Sequence, residues 1–145
     1  MLGRTASIFL FALCCASAGV TSTQPAAAAG AMAVGITGDI AKDGYSIGIA
    51  TDSGTEQQAK DAALGHCKTH GGPLSESKCE IIVTFTNMCA AEAEDPQPGT
   101  PGAGWAVGID KATAEKMAMT TCLATAGKSR MQYCKVATSV CDGKQ

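Results

Sequence analysis

The chain has 145 residues, of which 46% are hydrophobic but only 4% aromatic, and its formal net charge is −2. This length allows a single domain. An acidic balance without interleaved basic and aromatic residues excludes a role in nucleic-acid binding, and it gives no reason for binding to an anionic membrane surface. The composition therefore favours one small globular domain.

The first 29 residues are typical of a secretory signal peptide. Arg4 is their only charged residue, and an apolar run over Ile8–Ala18 and then small residues follow it. A transmembrane helix needs about 20 apolar residues, so this run is too short to be one. Small-x-small sequences predict cleavage after Ala29 or after Ala18. We therefore expect a secreted or periplasmic domain over residues 30–145, with no membrane insertion once the signal is removed.

Two cysteines in the apolar run, Cys14 and Cys15, raise the question of a lipid anchor. A lipobox requires a small residue directly before the modified cysteine. Here Leu13 precedes Cys14, and Cys14 itself precedes Cys15. The sequence therefore disfavours lipidation at either position.

Strand and helix patterns alternate along the remaining chain. The first two predicted strands form a hairpin across residues 38–44. The predicted strands are Ala31–Thr37, Tyr45–Ala50, Glu80–Thr86, Gly104–Ile109 and Cys134–Val140.

Helical spacing of small apolar residues predicts two helices, Glu56–Thr69 and Lys111–Ala126. Ser53 or Thr55 caps the first helix, and Gly71-Gly72 ends it. Asp110 caps the second helix, and Gly127 ends it. Because their apolar stripes consist mainly of small side chains, both helices can pack close to a sheet.

The chain also repeats itself, which indicates an internal duplication. A shift of 55 residues carries Cys67 onto Cys122 and Cys79 onto Cys134, and a shift of 60 carries Ser46–Ile49 onto Ala106–Ile109. The repeat predicts two strand-helix-strand halves over about 31–91 and 104–141. A Pro/Gly-rich loop over 92–103 joins them. The expected fold is α+β, with one antiparallel or mixed sheet and two helices on one face.

Six cysteines lie outside the signal peptide, and an even number in a short exported chain indicates a disulfide framework. Sequence alone leaves many pairings open. The repeat favours one bond within each half, Cys67–Cys79 and Cys122–Cys134. It leaves Cys89–Cys141 to join the halves. Such bonds compensate for the small apolar core of an alanine-rich domain.

Several of these residues together resemble a bacterial exported family known as domain of unknown function 4189. The likeness rests on the strand Cys79–Phe85, on Asn87 before Cys89-Ala90-Ala91, on Gly104-Trp105-Ala106, and on the second helix with its cysteines. Met32 departs from the family pattern, which often has an aromatic residue there, and the proline-rich connection is longer than usual. The resemblance implies export and no established activity.

His66 and His70 lie four residues apart on the first helix and could bind a metal, with Cys67 or Glu76 as further ligands. The favoured interpretation is different: histidines near a helix C-terminus complement its dipole, and Cys67 is in a disulfide. We therefore expect neither a metal nor a cofactor.

Acidic residues open the loop between the halves, and a single tryptophan follows it. Glu92, Glu94 and Asp95 fit a solvated loop better than a calcium site or acid/base groups. Trp105 fits the core better than an exposed anchor, although anchors of this type dominate interface energetics. These four residues are nevertheless the candidates for contact with a partner.

No motif identifies a reaction, because the chain has no G-x-S-x-G elbow, no phosphate-binding loop and no free cysteine outside the signal peptide. We therefore predict no catalytic residues. The leading hypothesis is a non-enzymatic binding module, such as an inhibitor, immunity factor or secreted effector, acting on another protein as a monomer or small homo-oligomer. One alternative is a small hydrolase using Glu92, Glu94 or His66, which a deep pocket at these residues would favour. The other alternative is a structural envelope component.

Overall fold

A computed structural model describes residues 29–143, and their fold is α+β, as predicted. Residues 1–28 of the predicted signal peptide, with Cys14, Cys15 and the cleavage site after Ala18, lie outside the described residues, whereas Ala29 opens the first strand. The elements in chain order are β1 (Ala29–Ile36), α1 (Ile40–Asp43), β2 (Tyr45–Ser53), α2 (Glu56–Cys67), α3 (Pro73–Glu76), β3 (Glu80–Phe85), β4 (Cys89–Glu94), β5 (Ala103–Gly108), α4 (Lys111–Ala126), a 3-10 turn (Met131–Tyr133) and β6 (Lys135–Cys141).

The strands form two antiparallel three-stranded sheets, in the orders β2-β1-β3 and β5-β4-β6. The expectation of one sheet with both helices on one face is therefore corrected. Each helix packs on its own sheet, α2 on the first and α4 on the second. In each unit the central strand, β1 or β4, comes first in the chain, and the main helix lies between the second and third strands. Both units therefore have the order strand-strand-helix-strand.

The two sheets pack against each other through the faces that their helices leave uncovered. Successive strand residues point to opposite faces. Ala31 and Ala33 of β1 therefore lie against α2, while Met32 and Val34 enter a third apolar cluster, which also contains Ala90 of β4. The layers run helix, sheet, sheet, helix.

Strand β4 was not predicted, because the sequence analysis assigned residues 92–103 to a loop. Alanine and glutamate have low strand propensity, and three prolines follow closely. In the structure, Ala91 and Ala93 are fully buried against α4, and β5 and β6 pair with β4 on both sides. The remaining loop is shorter and covers residues 95–102.

Close contact between helix and sheet depends on glycines in both units. A Cβ atom on Gly48 would overlap the carbonyl oxygen of Ala63 in α2, and one on Gly104 would overlap that of Ala118 in α4. Gly104, rather than Gly108, is therefore the counterpart of Gly48. The sequence match of Ser46–Ile49 with Ala106–Ile109 was four positions out of structural register.

The disulfides are Cys67–Cys79, Cys122–Cys134 and Cys89–Cys141, the same pairs that the repeat favours. The first two each link the end of a helix to the segment before the next strand. Cys89 and Cys141 are directly paired residues of β4 and β6. Because Cys89 opens β4, this bond lies within the second sheet and does not join the halves.

A buried carboxylate links the two units instead. Asp142 is fully buried, and its oxygens accept hydrogen bonds from the backbone N–H of Asp52 at 2.9 Å and of Asn87 at 3.0 Å. Both donors have positive φ angles, 55° and 52°. Asp52 lies at the end of β2 and Asn87 in the turn between β3 and β4, so one side chain fixes both the first unit and its connection to the second.

We predict that Gly48→Ala and Gly104→Ala each lower the free energy of unfolding by about 1–3 kcal/mol, because a methyl group pushes the helix away from its sheet. Urea denaturation measures the loss. The control is Gly65→Ala in α2, where an added Cβ has no heavy atom within 4 Å. That variant should be neutral or slightly stabilised. Equal stability of all three variants would contradict close packing at the two glycines.

Candidate functional site

A cleft of about 530 Å³ opens between edge strand β2 of the first sheet and edge strand β6 of the second. Its floor comes from β4, and the C-terminal part of α2 lies at its side. The lining residues are Tyr45, Ile47, Gly48, Ile49, His66, His70, Glu92, Glu94, Thr138 and Val140.

Strand alternation brings two of the predicted contact residues into this cleft. Ala91 and Ala93 face α4, so Glu92 and Glu94 project from the opposite face of β4, toward the first sheet. They are strand residues, and the prediction that they belong to a solvated loop is corrected.

The glutamates occupy positions that are apolar in the first unit. A shift of 60 residues places Ala31 and Ala33 on Ala91 and Ala93, which pack on their helices in the same way. The same shift places Met32 and Val34 on Glu92 and Glu94. Met32 and Val34 are buried between the sheets. The second unit therefore carries carboxylates where the first completes an apolar core.

Tyr45 joins the two glutamates across the cleft. Its hydroxyl oxygen lies 2.6 Å from Oε1 of Glu92 and 3.0 Å from Oε2 of Glu94. A phenol has one hydrogen to donate. Both contacts can therefore be hydrogen bonds at once only when one carboxyl group retains its own proton.

The electrostatics of this cluster favour that protonated state. Desolvation by burial raises the pKa of Glu92, the hydrogen bond from Tyr45 opposes this change, and the charge of Glu94 adds to it. Burial and the two neighbouring carboxylates raise the pKa of Tyr45, so its hydroxyl remains a donor. The cluster can accept a positive charge more easily than it can hold two unbalanced negative ones.

The two histidines line the side of the same cleft, with ring centroids 6.3 Å apart. Nδ1 of His66 lies 3.0 Å from the carbonyl oxygen of Ile49, and Nδ1 of His70 lies 2.8 Å from that of His66. A carbonyl oxygen only accepts, so in the neutral rings Nδ1 carries the hydrogen. Each Nε2 is thereby left as an acceptor.

The proposed metal ligands do not converge. Cys67 is in a disulfide, and Glu76 does not line the cleft. Within residues 29–143, no group of three or more His, Cys, Asp or Glu side chains is arranged to hold a metal ion.

Asp95 has a structural role and does not face the cleft. Its buried carboxylate makes two hydrogen bonds with the guanidinium group of Arg130, at 2.6 and 2.7 Å. The hydrogen bond from Arg130 lowers the pKa of Asp95. This bidentate pair holds the start of the 95–102 loop, so Asp95 is not available to a partner.

Trp105 is half-buried at the edge of the core between the sheets, and its ring stacks on that of Tyr45 with centroids 6.0 Å apart. Through this contact it supports the wall of the cleft. Its half-buried position is intermediate between the two predicted roles, a core residue and an exposed anchor. Sequence analysis did not identify Tyr45. The only available signal was its place as one of two tyrosines in the chain, at the start of a predicted strand.

The polar groups that line the cleft are mainly acceptors. Glu92 and Glu94 carry its formal charge, and neither lysine nor arginine is among the lining residues. Ile47, Ile49 and Val140 supply apolar surface beside them. The cleft is therefore complementary to a cation with an aliphatic stem.

These features define a small disulfide-bonded α+β protein with an acidic cleft between two sheets. The chain belongs to the family described as domain of unknown function DUF4189, which matches residues 29–141. No curated protein and no solved structure matches the chain. Three disulfides are typical of an oxidising, extracellular-type environment. None of the helices described here is both long and apolar enough to cross a membrane.

We predict that Glu92→Gln stabilises the protein at neutral pH. Because the folded-state pKa of Glu92 is raised, its contribution to stability is present below the ordinary pKa of 4.5 and is lost as the pH rises through the folded value. The melting temperature of the variant should exceed that of the wild type at pH 8. The difference should vanish near pH 4.

Thermal unfolding followed by circular dichroism from pH 4 to pH 8 measures this effect. The matched control is Glu80→Gln, which removes the same charge from an exposed position on β3. Its difference from the wild type should not vary with pH in this way. If the melting temperatures of the wild type and Glu92→Gln change with pH in the same way, folding does not disfavour the ionised form of Glu92, which contradicts the prediction.

Proposed function

We propose that this protein is an exported, non-enzymatic binding module whose cleft binds a lysine or arginine side chain of a partner protein. One observation carries the proposal. Two carboxylates, those of Glu92 and Glu94, face one cleft whose lining contains no lysine or arginine to neutralise them. A partner's cation would supply the missing positive charge.

The unfavourable placement of Glu92 supports this proposal. Its raised pKa means that the fold holds the carboxylate form at a cost, at a position where the first unit has Met32. A bound ammonium or guanidinium group would reverse this effect by favouring the ionised form. Groups that reduce stability in the free protein commonly serve binding.

The remaining wall of the cleft suits the rest of a long basic side chain. Ile47, Ile49 and Val140 would pack against its methylene groups, while Nε2 of His66 and His70 offers further acceptors for its N–H donors. Tyr45 can redirect its single hydrogen as the ligand arrives, because either glutamate accepts it.

The compartment and the origin of the fold belong to the same proposal. Three disulfides support export, for which residues 1–29 would act as the signal peptide. The shared strand order of the two units, each with one long helix packed on its sheet, supports an internal duplication. In that history, the second unit acquired glutamates on β4 and so converted part of a core into a site.

A titration with Nα-acetyl-lysine methylamide and its arginine analogue tests the proposal. Both should shift the backbone amide resonances of Tyr45, Glu92, Glu94 and Thr138 in the oxidised protein, whereas the glutamate analogue should shift none. Glu94→Gln should weaken binding by at least about tenfold, since a hydrogen bond to a charged group contributes roughly 1.5–3 kcal/mol. Glu80→Gln is the charge-matched control and should bind like the wild type. Failure of both cations to bind at millimolar concentration would refute the proposal.

A small hydrolase is a second candidate, because the cleft holds two neighbouring carboxylates and the pKa of one is raised. A carboxyl group with a raised pKa beside a second carboxyl group is one requirement of the acid pair that catalyses glycoside hydrolysis. Glu92 would donate the proton to the leaving group, and Glu94 would act as base or nucleophile.

A panel of p-nitrophenyl glycosides tests this alternative on the oxidised protein. Turnover should fall at least about a hundredfold in both Glu92→Gln and Glu94→Gln, and it should remain unchanged in Glu80→Gln. Absence of turnover across the panel, or turnover that survives both substitutions in the cleft, would exclude glycoside hydrolysis at this site.

A further inference from the structure

A second depression adjoins the acidic cleft. It is a groove of about 540 Å³ between the 95–102 loop of the second unit and the turns around α1 and α3 of the first. Tyr45 and Glu94 line both the cleft and the groove. The hydroxyl oxygen of Tyr45 and Oε2 of Glu94, which are 3.0 Å apart, therefore lie at the boundary between the two spaces.

The chemistry of the groove differs from that of the cleft. Glycines and prolines form much of its wall, so main-chain amide and carbonyl groups and pyrrolidine rings replace charged side chains there. These residues are Gly44, Gly71, Gly72, Pro96, Pro98, Gly99 and Gly102. Besides the shared Glu94, its one acidic residue is Asp95, which Arg130 already neutralises. Such a surface matches a neutral chain with hydrogen-bonding groups at regular intervals, which is a peptide main chain.

The loop that forms one side of the groove is held in place before any ligand arrives. The backbone N–H of Asp95 donates to the carbonyl oxygen of Gly102 at 2.8 Å, and that of Gln97 donates to Oδ1 of Asp95 at 3.1 Å. The Thr100 hydroxyl donates to the carbonyl oxygen of Gln97 at 2.8 Å. A preorganised loop loses little entropy on binding.

We infer that the cleft and the groove together bind one extended peptide segment of a partner protein. A basic side chain contacts Glu92 and Glu94 in the cleft, and the adjoining main chain lies in the groove. This inference rests on the proposed function, because it takes the cation in the cleft as its anchor. A free polyamine fits less well, since the groove has no second unpaired carboxylate beyond the shared Glu94.

Calorimetric titration of the oxidised full domain with three ligands tests this inference. The ligands are Nα-acetyl-lysine methylamide, the capped pentapeptide Ala-Ala-Lys-Ala-Ala, and spermidine. The pentapeptide should bind about tenfold more tightly than the single residue, as two additional main-chain hydrogen bonds would give. Alanines on both sides of the lysine allow either chain direction.

A variant that fills the groove tests whether the groove is the source of the tighter binding of the pentapeptide. Gln97 lines the groove and is exposed, so Gln97→Trp should fold normally and block the space. It should abolish the tenfold advantage of the pentapeptide and leave binding of the single residue unchanged. Gln132→Trp places the same side chain at an exposed position outside both spaces and should change neither affinity.

The outcomes separate the two proposals. If the single residue binds but the pentapeptide binds no more tightly, the groove is not a peptide site, while the cationic cleft stands. The groove is likewise not a peptide site if the pentapeptide keeps its higher affinity in Gln97→Trp. If spermidine binds more tightly than the single residue and the pentapeptide does not, the extended ligand is a polyamine and the inference is overturned. If none of the three ligands binds, the proposed function itself fails.

Discussion

This structure depends on one constraint: the backbone of each main helix lies directly against the backbone of its sheet. Gly48 and Gly104 have no space for a side chain, and alanines fill the facing positions of the central strands. Such thin interfaces bury little apolar area, so the helices alone cannot cover the hydrophobic surface of the sheets. The opposite faces of the sheets must therefore pack on each other, which produces the four layers.

This packing also creates the site. The inner face of β1 carries Met32 and Val34, which fill the space between the sheets, whereas the inner face of β4 carries Glu92 and Glu94. Where carboxylates replace apolar side chains, the sheets leave an open cleft. Among residues 29–143, the Tyr45 side chain is the one that hydrogen-bonds to both acids across it. The same departure from symmetry places Glu92 where burial raises its pKa, and so it couples the stability of the protein to the ionisation of this carboxyl group.

Disulfides and buried hydrogen bonds then stabilise the fold, because the core contains few large side chains. One disulfide links α2 to the segment before β3, and a second links α4 to the segment before β6. The third joins neighbouring strands of the second sheet. None of them connects the units. That connection comes from the packing between the sheets and from Asp142, whose carboxylate bonds to the backbone at the end of β2 and before β4. Oxidation therefore stabilises each unit, while noncovalent contacts determine how the units meet.

Local signals were sufficient to place much of the secondary structure. Helix α4 runs from Lys111 to Ala126 as its cap and stop residues predict, and α2 begins at Glu56 after Thr55 but ends at Cys67, two residues early. These patterns are readable because a helix satisfies its hydrogen bonds within one segment. The two similar halves likewise favoured the disulfide pairs that the structure contains. The sequence also singled out Glu92, Glu94 and His66 as candidates, although it placed the glutamates in a loop.

Tertiary structure alone decided what those residues can do. Strand β4 has weak propensity and exists because β5 and β6 supply its partners. Its pleat then assigns Ala91 and Ala93 to one face and the glutamates to the other. Tyr45 is 47 residues from Glu92 in sequence, and nothing local links them. A cleft between two edge strands is a property of how sheets pack, so neither its charge nor its shape can be derived from any single segment of the chain.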